Sequence, residues 1–162
     1  MVKLEQLTRI HAPMQRCFDL ARSVEVHLKE NVHFGEQAVA SGGVTTGLIG
    51  PGQTVTWRAR HLGVRQTLTS QITAFQPPRY FQDTMLAGAF REMQHDHHFR
   101  ALASGTTEML DIFRFAAPIP VLGRISEILF LRRYMAALLT ERNQAIKQAA
   151  ESEEWRLYLP CE

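Results

Sequence analysis

Three histidines stand within four residues, His95, His97 and His98, and imidazole is the side chain whose charge changes closest to neutrality. Beside a carboxylate, a histidine can move protons, anchor the polar end of a ligand or help to hold a metal ion. What matters is which carboxylates share its face. The segments 79–87, 91–102 and 106–115 alternate between apolar and polar residues and read as β-strands with one face inward. The apolar phase carries Phe81, Asp83 and Met85 in the first and Met93, His95, His97 and Phe99 in the second. In the third it carries Met109, Asp111, Phe113 and Phe115, so four ionisable residues share the apolar face and His98 falls outside it. If Gly88–Phe90 and Ala103–Gly105 form three-residue hairpin loops, Asp83 lies opposite His95 and His97 lies opposite Asp111. Opposed side chains on one face are ~4.5–5.5 Å apart at Cβ, so each pair can hydrogen-bond.

Buried carboxylates and imidazoles are costly unless paired, and three readings of Asp83, His95, His97 and Asp111 follow. They form satisfied couples that only fix a polar patch; they anchor the polar end of a greasy ligand; or an Asp-oriented His acts as general acid and base. Two imidazoles on one face also suggest metal, with His61, Asp83 or Asp111 as third ligand. That spacing alone is a weak signal, and the carboxylates look better placed behind the imidazoles, so neither metal nor cofactor is expected.

The elements that must position these residues follow from period and punctuation. Val2–Ala12 reads as a strand, Met14–Arg22 as a helix opened by Pro13, and Ser23 as the cap of a second short helix reaching about Lys29. Strands at 35–41, 53–61 and 64–75 precede the three already named, each followed by Gly or Pro turn chemistry, and Pro118 and Pro120 close the region. Val55, Trp57 and Ala59 set the inward phase of 53–61, which brings His61 with them. A two-residue turn at Leu62-Gly63 sets Trp57 against Leu68 and Val55 against Ser70, with Ile72 in the same phase. From Val121 to about Ala150 the period becomes helical, with Ile125, Ile128, Leu129, Met135, Leu138, Leu139 and Ile146 on one stripe. That helix would be about 45 Å long.

Composition narrows the function classes. The 162 residues are 45% hydrophobic and 21% charged, with a net charge of +2 and no dense basic cluster, which argues against nucleic acid as a partner. No apolar run approaches the ~20 residues that span a bilayer, and no secretory leader opens the chain. The two cysteines, Cys17 and Cys161, are too few for a disulfide framework, and a reducing cytoplasm is the expected compartment. Cys17, on the apolar face of the first helix, reads as packing. Ser70 has no specified relation to His61, so no nucleophile triad is read. The glycines from Gly42 to Gly52 precede a strand rather than a helix and suggest a mobile loop near a cavity mouth, not a phosphate cradle. The tail from Glu151, with Trp155, Leu157, Tyr158 and Leu159, is expected to dock on its own domain.

Several stretches carry a resemblance: Ile10-His-Ala-Pro13 followed by Cys17-Phe-Asp-Leu20, Gly52-Gln-Thr-Val-Thr-Trp57, Ile72-Thr-Ala-Phe-Gln-Pro77 and Phe81-Gln-Asp83. Gly88-Ala-Phe90, His95-Asp-His-His-Phe99, Gly105-Thr106 and Phe115-Ala-Ala-Pro118 extend it over nearly the whole chain. With the order strand, two short helices, six strands and long helix, the chain resembles stand-alone bacterial members of the START/Bet v 1-like (SRPBCC) superfamily. The resemblance implies an α+β helix-grip fold in one domain, 1–162: a curved seven-stranded antiparallel sheet wrapped around the C-terminal helix, enclosing a cavity. It also implies a small, largely hydrophobic ligand such as a lipid, polyketide or aromatic metabolite. Trp57, Phe81, Met85, Met93, Phe99, Met109, Phe113 and Met135 would form its wall. Asp83, His95, His97 and Asp111 would make the polar contacts, with His61 at the rim. The alternatives are a polyketide cyclase/aromatase-like enzyme and a protein-interaction or regulatory module with a vestigial cavity, working as a monomer or homodimer. Fold alone chooses no reaction.

Overall fold

A computed structural model describes residues 1–30, 35–39, 43–61, 63–117 and 125–159. The alternating segments become β1 (Val2–Ile10), β2 (Gln37–Ala38), β3 (Thr54–His61), β4 (Val64–Gln76), β5 (Tyr80–Ala87), β6 (Glu92–Ala101) and β7 (Thr107–Ala116). The helical ones become α1 (Met14–Ala21), α2 (Val24–Glu30) and α3 (Ile125–Glu151), and a short 3₁₀ segment, Glu153–Leu157, follows. The strands form one antiparallel sheet in the order β1-β7-β6-β5-β4-β3-β2. This is the helix-grip arrangement, with α3 lying across the concave face.

The hairpin loops keep the parity that their sequence requires. Asp83 pairs with His95, and His97 pairs with Asp111. Leu102 N–H reaches Thr106 O at 2.8 Å across a turn in which Ser104 and Gly105 take φ of 64° and 70°. Trp57 faces Leu68 and Val55 faces Ser70, as a two-residue turn between His61 and Val64 demands. Register shifts at Thr69/Ser70 and Ile72/Ala74 interrupt the β4–β5 ladder. Such bulges bend a strand and increase its twist, which lets the long β4 curl around α3. The second shift changes phase: beyond Ile72 it is Phe75 that packs inward, which strict alternation from Ile72 does not foresee.

Several boundaries differ from expectation. The strand expected at 35–41 is a two-residue edge strand; Val39 N and Val44 N still bond to Thr56 O and Thr54 O, but 40–42 lie outside the described residues. The glycine-rich stretch before β3 is pinned rather than loose. Val24 N bonds Gly47 O, Ile49 N bonds Arg22 O, and Glu25 accepts from Gly47 N at 2.8 Å. The stripe of α3 shifts as well: Leu129 is exposed, while the buried positions among the described side chains are Leu139, Asn143, Ile146, Ala149 and Ala150. The side chains of Ile125 and Ile128, together with His33, Gly42, Leu62, Pro118, Pro120, Val121 and Cys161, lie outside what is described. Trp155, Tyr158 and Leu159 pack on the core, as expected of the tail, but Leu157 is exposed.

Two apolar clusters lie under the helices. One centres on Phe18 of α1, whose ring meets Phe75, Phe81 and Phe99 edge-on at 5.4–5.5 Å. The other gathers Leu4, Met93, Phe113, Phe115 and Leu139. Cys17 is fully buried, and burial pushes its thiol pKa from 9.0 up to about 11. The folded state therefore holds this proton more tightly than the unfolded one, so stability falls as pH rises from about 9 towards about 11. Urea unfolding from pH 8 to 11 is expected to show a smaller alkaline loss in Cys17→Ala; identical slopes would contradict this.

Gly88 sits where backbone passes backbone. A Cβ there would meet Leu68 Cδ1 at 2.8 Å and Thr67 O at 2.9 Å. Gly88→Ala is expected to cost about 1–3 kcal/mol through overpacking, read as a lower urea midpoint at unchanged m.

Candidate functional site

Strand phase and pairing put Asp83, His95, His97 and Asp111 on one patch of the concave face. They form a chain rather than two separate couples. His95 Nε2 donates to Asp111 Oδ1 at 3.0 Å and His97 Nδ1 donates to the same oxygen at 2.7 Å. His97 Nε2 lies 3.1 Å from Asp83 Oδ1, and His95 Nδ1 lies 4.0 Å from it. The cross-strand partners Asp83 and His95 therefore make the longest of these contacts, because the His95 ring swings towards β7. Phe81 stacks on His97 at 4.1 Å, and Phe113 meets His95 edge-on at 5.1 Å, which fixes both rings.

The long helix closes the network from the other side. Asn143 Nδ2 donates to Asp111 Oδ2 at 2.7 Å and also reaches Thr8 Oγ1. Arg142 Nη1 lies 3.4 Å from Asp111 Oδ1, and its Nη2 donates to Ala21 O. Asp111 is thus surrounded by four donors. Sequence reading did not find Asn143 or Arg142. The signal was present: Asn143 is spaced with Leu139, Ile146 and Ala150 on the apolar stripe, where a polar residue needs a buried partner.

Burial and charge set the protonation. Burial, then the neighbouring His97, pushes the His95 pKa from 6.5 down to about 4, against the pull of Asp111. His95 is therefore neutral near pH 7, its one proton on Nε2 and its Nδ1 lone pair turned towards Asp83. Burial alone would raise the Asp111 carboxyl, but the hydrogen bonds from His95 and His97 outweigh it and hold it well below the usual carboxylate range. Asp83 is lowered in the same way, burial being outweighed chiefly by the hydrogen bond from His97.

A cavity of about 200 Å³ opens on this cluster between sheet and α3. Trp57, His61, Phe81, Asp83, Met93, His95, His97, Phe113 and Met135 line it. An adjoining space of about 300 Å³ shares Trp57, His61 and Met135 and extends towards Tyr134, whose hydroxyl bonds His61 Nδ1 at 2.8 Å. Three expected wall residues and one expected polar contact do not reach the cavity. Phe99 and Met109 are consumed in the cluster around Phe18, Met85 packs against the second cluster, and Asp111 lies fully buried behind the histidines. Inward phase cannot separate them from wall residues, because α1 fills one end of the concave face. Unforeseen lining comes from Arg22, His27, Ile49 and Arg142. The His27 ring packs at a tilt on Trp57, 4.0 Å between centroids, and lies 3.3 Å from Glu36. His98 is on the outer face, stacked on Tyr80.

Solved structures share this architecture. The chain is similar to a START superfamily protein from Mycobacterium smegmatis, with a TM-score of 0.69 and 9% identity, covering 92% of this chain and 97% of that one. It is similar to ginseng major latex-like protein 151 from Panax ginseng, with a TM-score of 0.63 and 12% identity, covering 93% and 98%. A third likeness is to TTHA0849 from Thermus thermophilus, with a TM-score of 0.68 and 17% identity, covering 93% and 100%. No protein-family model and no curated protein matches the chain. At these identities the likeness is one of fold, and the fold is the START/Bet v 1-like helix grip. None of the described helices is long and apolar enough to cross a membrane.

Proposed function

We propose that this protein binds a small, largely hydrophobic molecule, of the lipid, polyketide or aromatic class, between its sheet and α3. The observation that carries this reading is a mostly apolar cavity with Asp83, His95 and His97 converging on one side. A greasy wall with a few fixed polar groups is what small-molecule sites have in common. The apolar body would lie against Trp57, Phe81, Met93, Phe113 and Met135, and a polar end would meet the histidines, with His61 nearer the mouth. The protein would work in the cytoplasm, as a single-domain monomer or homodimer. Native mass spectrometry of freshly purified protein is expected to reveal a bound small molecule. Hydrophobic candidates are expected to raise the melting temperature, by about 2.7 kcal/mol of stabilisation at a hundredfold excess over Kd. A bare mass with no stabilisation by any candidate would favour the interaction-module reading.

One observation supports an enzymatic alternative. His95 is neutral and presents an unprotonated Nδ1 beside the cavity while Asp111 fixes its tautomer, which suits a general base in cyclase- or dehydratase-type chemistry. His95→Asn separates the two: it changes only affinity in a binder and abolishes turnover in an enzyme.

A further inference from the structure

We propose that Asp83, His95 and His97 form a binding site for one divalent transition-metal ion of the Zn²⁺ type, its fourth position open to the cavity. Each histidine spends one nitrogen on the same Asp111 oxygen, His95 through Nε2 and His97 through Nδ1. The remaining two, His95 Nδ1 and His97 Nε2, converge with a carboxylate oxygen of Asp83, and the three ligand atoms lie within 4.8 Å of one another. His97 Nε2 and Asp83 Oδ1 face each other at 3.1 Å, a contact that otherwise holds a proton between them. A dication held by His95 Nδ1, His97 Nε2 and Asp83 Oδ1 would take the place of that proton and draw the three ligand atoms to one centre.

The dimensions suit a metal ion. Zn–N and Zn–O bonds of about 2.0–2.2 Å in a tetrahedron put neighbouring ligand atoms about 3.3–3.5 Å apart. The two separations to Asp83 Oδ1, 3.1 and 4.0 Å, bracket that value. The outer shell is already in place: one carboxylate, Asp111, orients both imidazoles and is itself held by Asn143 and Arg142. Phe81 and Phe113 hold the ring planes. His61 and His27, which also line the cavity, are outside the cluster, the first bonded to Tyr134 and the second packed on Trp57. Two carboxylates and the Arg142 guanidinium leave one net negative charge, so a dication leaves one positive. The open position therefore suits hydroxide or an acidic oxygen of a cavity ligand; this last point alone rests on the ligand-binding reading.

The test uses the full chain stripped with chelator and then dialysed. Titration calorimetry with ZnCl₂ is expected to show one site per chain of micromolar or tighter affinity, and Co²⁺ is expected to give the intense visible bands of a four-coordinate ion. Asp83→Asn, which preserves shape, should weaken Zn²⁺ binding at least tenfold, and His97→Asn more. His98→Asn, on the outer face, should leave it unchanged. If His97→Asn does not fold, Asp83→Asn still decides. No binding by the folded, stripped protein would overturn the proposal and leave a proton as the bridging cation. Binding undiminished in Asp83→Asn and His97→Asn would overturn it in favour of surface histidines. Because metal alone is the probe, failure here leaves the cavity reading standing, and failure of ligand binding leaves the metal site standing.

Discussion

Replacing Asp111 by Ala is expected to lower folding stability by about 3–5 kcal/mol, enough to threaten the folded state of a domain with ordinary marginal stability. The carboxylate is fully buried and accepts from His95, His97 and Asn143, with Arg142 at 3.4 Å. Removing it takes the shared acceptor from His95, His97 and Asn143 and the carboxylate at 3.4 Å from the Arg142 guanidinium, all in the interior. The loss measures that orphaning, not the net worth of the cluster, since well-packed apolar replacements of a whole buried ionic group are often neutral or better. Asp111→Asn should fall between, because the amide oxygen can still accept from both imidazoles while its NH₂, in place of Oδ2, opposes the Asn143 donor. Urea unfolding followed by tryptophan fluorescence checks both variants. A cost under about 1 kcal/mol for Asp111→Ala would mean that the two histidines find other partners, against the geometry described.

Phe18→Ala should be comparably damaging, at about 3–5 kcal/mol, for a different reason. Phe18 is fully buried at the point where α1 meets the sheet, and three aromatic rings from β4, β5 and β6 converge edge-on upon it. Truncation leaves a cavity that strands facing α1 cannot close without shifting β5. Phe81 links this cluster to the site, since it touches Phe18 and stacks on His97. The variant should therefore also loosen the His97 ring, visible as a broadened imidazole signal in NMR. A cost below about 1.5 kcal/mol with an unchanged His97 signal would show that the aromatic cluster does not brace the site.

Strand phase alone brings Asp83, His95, His97 and Asp111 together, because period two leaves only two faces and loop length sets parity. It does not reveal who bonds whom. Cross-strand pairing suggests Asp83–His95 and His97–Asp111 couples, whereas side-chain length lets Asp111 take both histidines. Asn143 and Arg142 escape notice because they arrive from α3, and the register of a helix against a sheet is not written in either element alone. Phe75 escapes because a bulge reverses phase without changing local composition. Phe99 and Met109 are legible as inward-facing but not as core rather than wall, a distinction made by where α1 lands.

If the space under α3 is a usable apolar cavity, the fluorescent hydrophobe 1-anilinonaphthalene-8-sulfonate will titrate into it. Saturable binding of one molecule per folded chain is expected, and it should disappear in Met135→Trp and Leu138→Trp, which fill the space from the helix side while retaining cooperative unfolding. Absence of saturable binding to the wild-type chain, or equal binding by folded variants with the cavity filled, would contradict the claim.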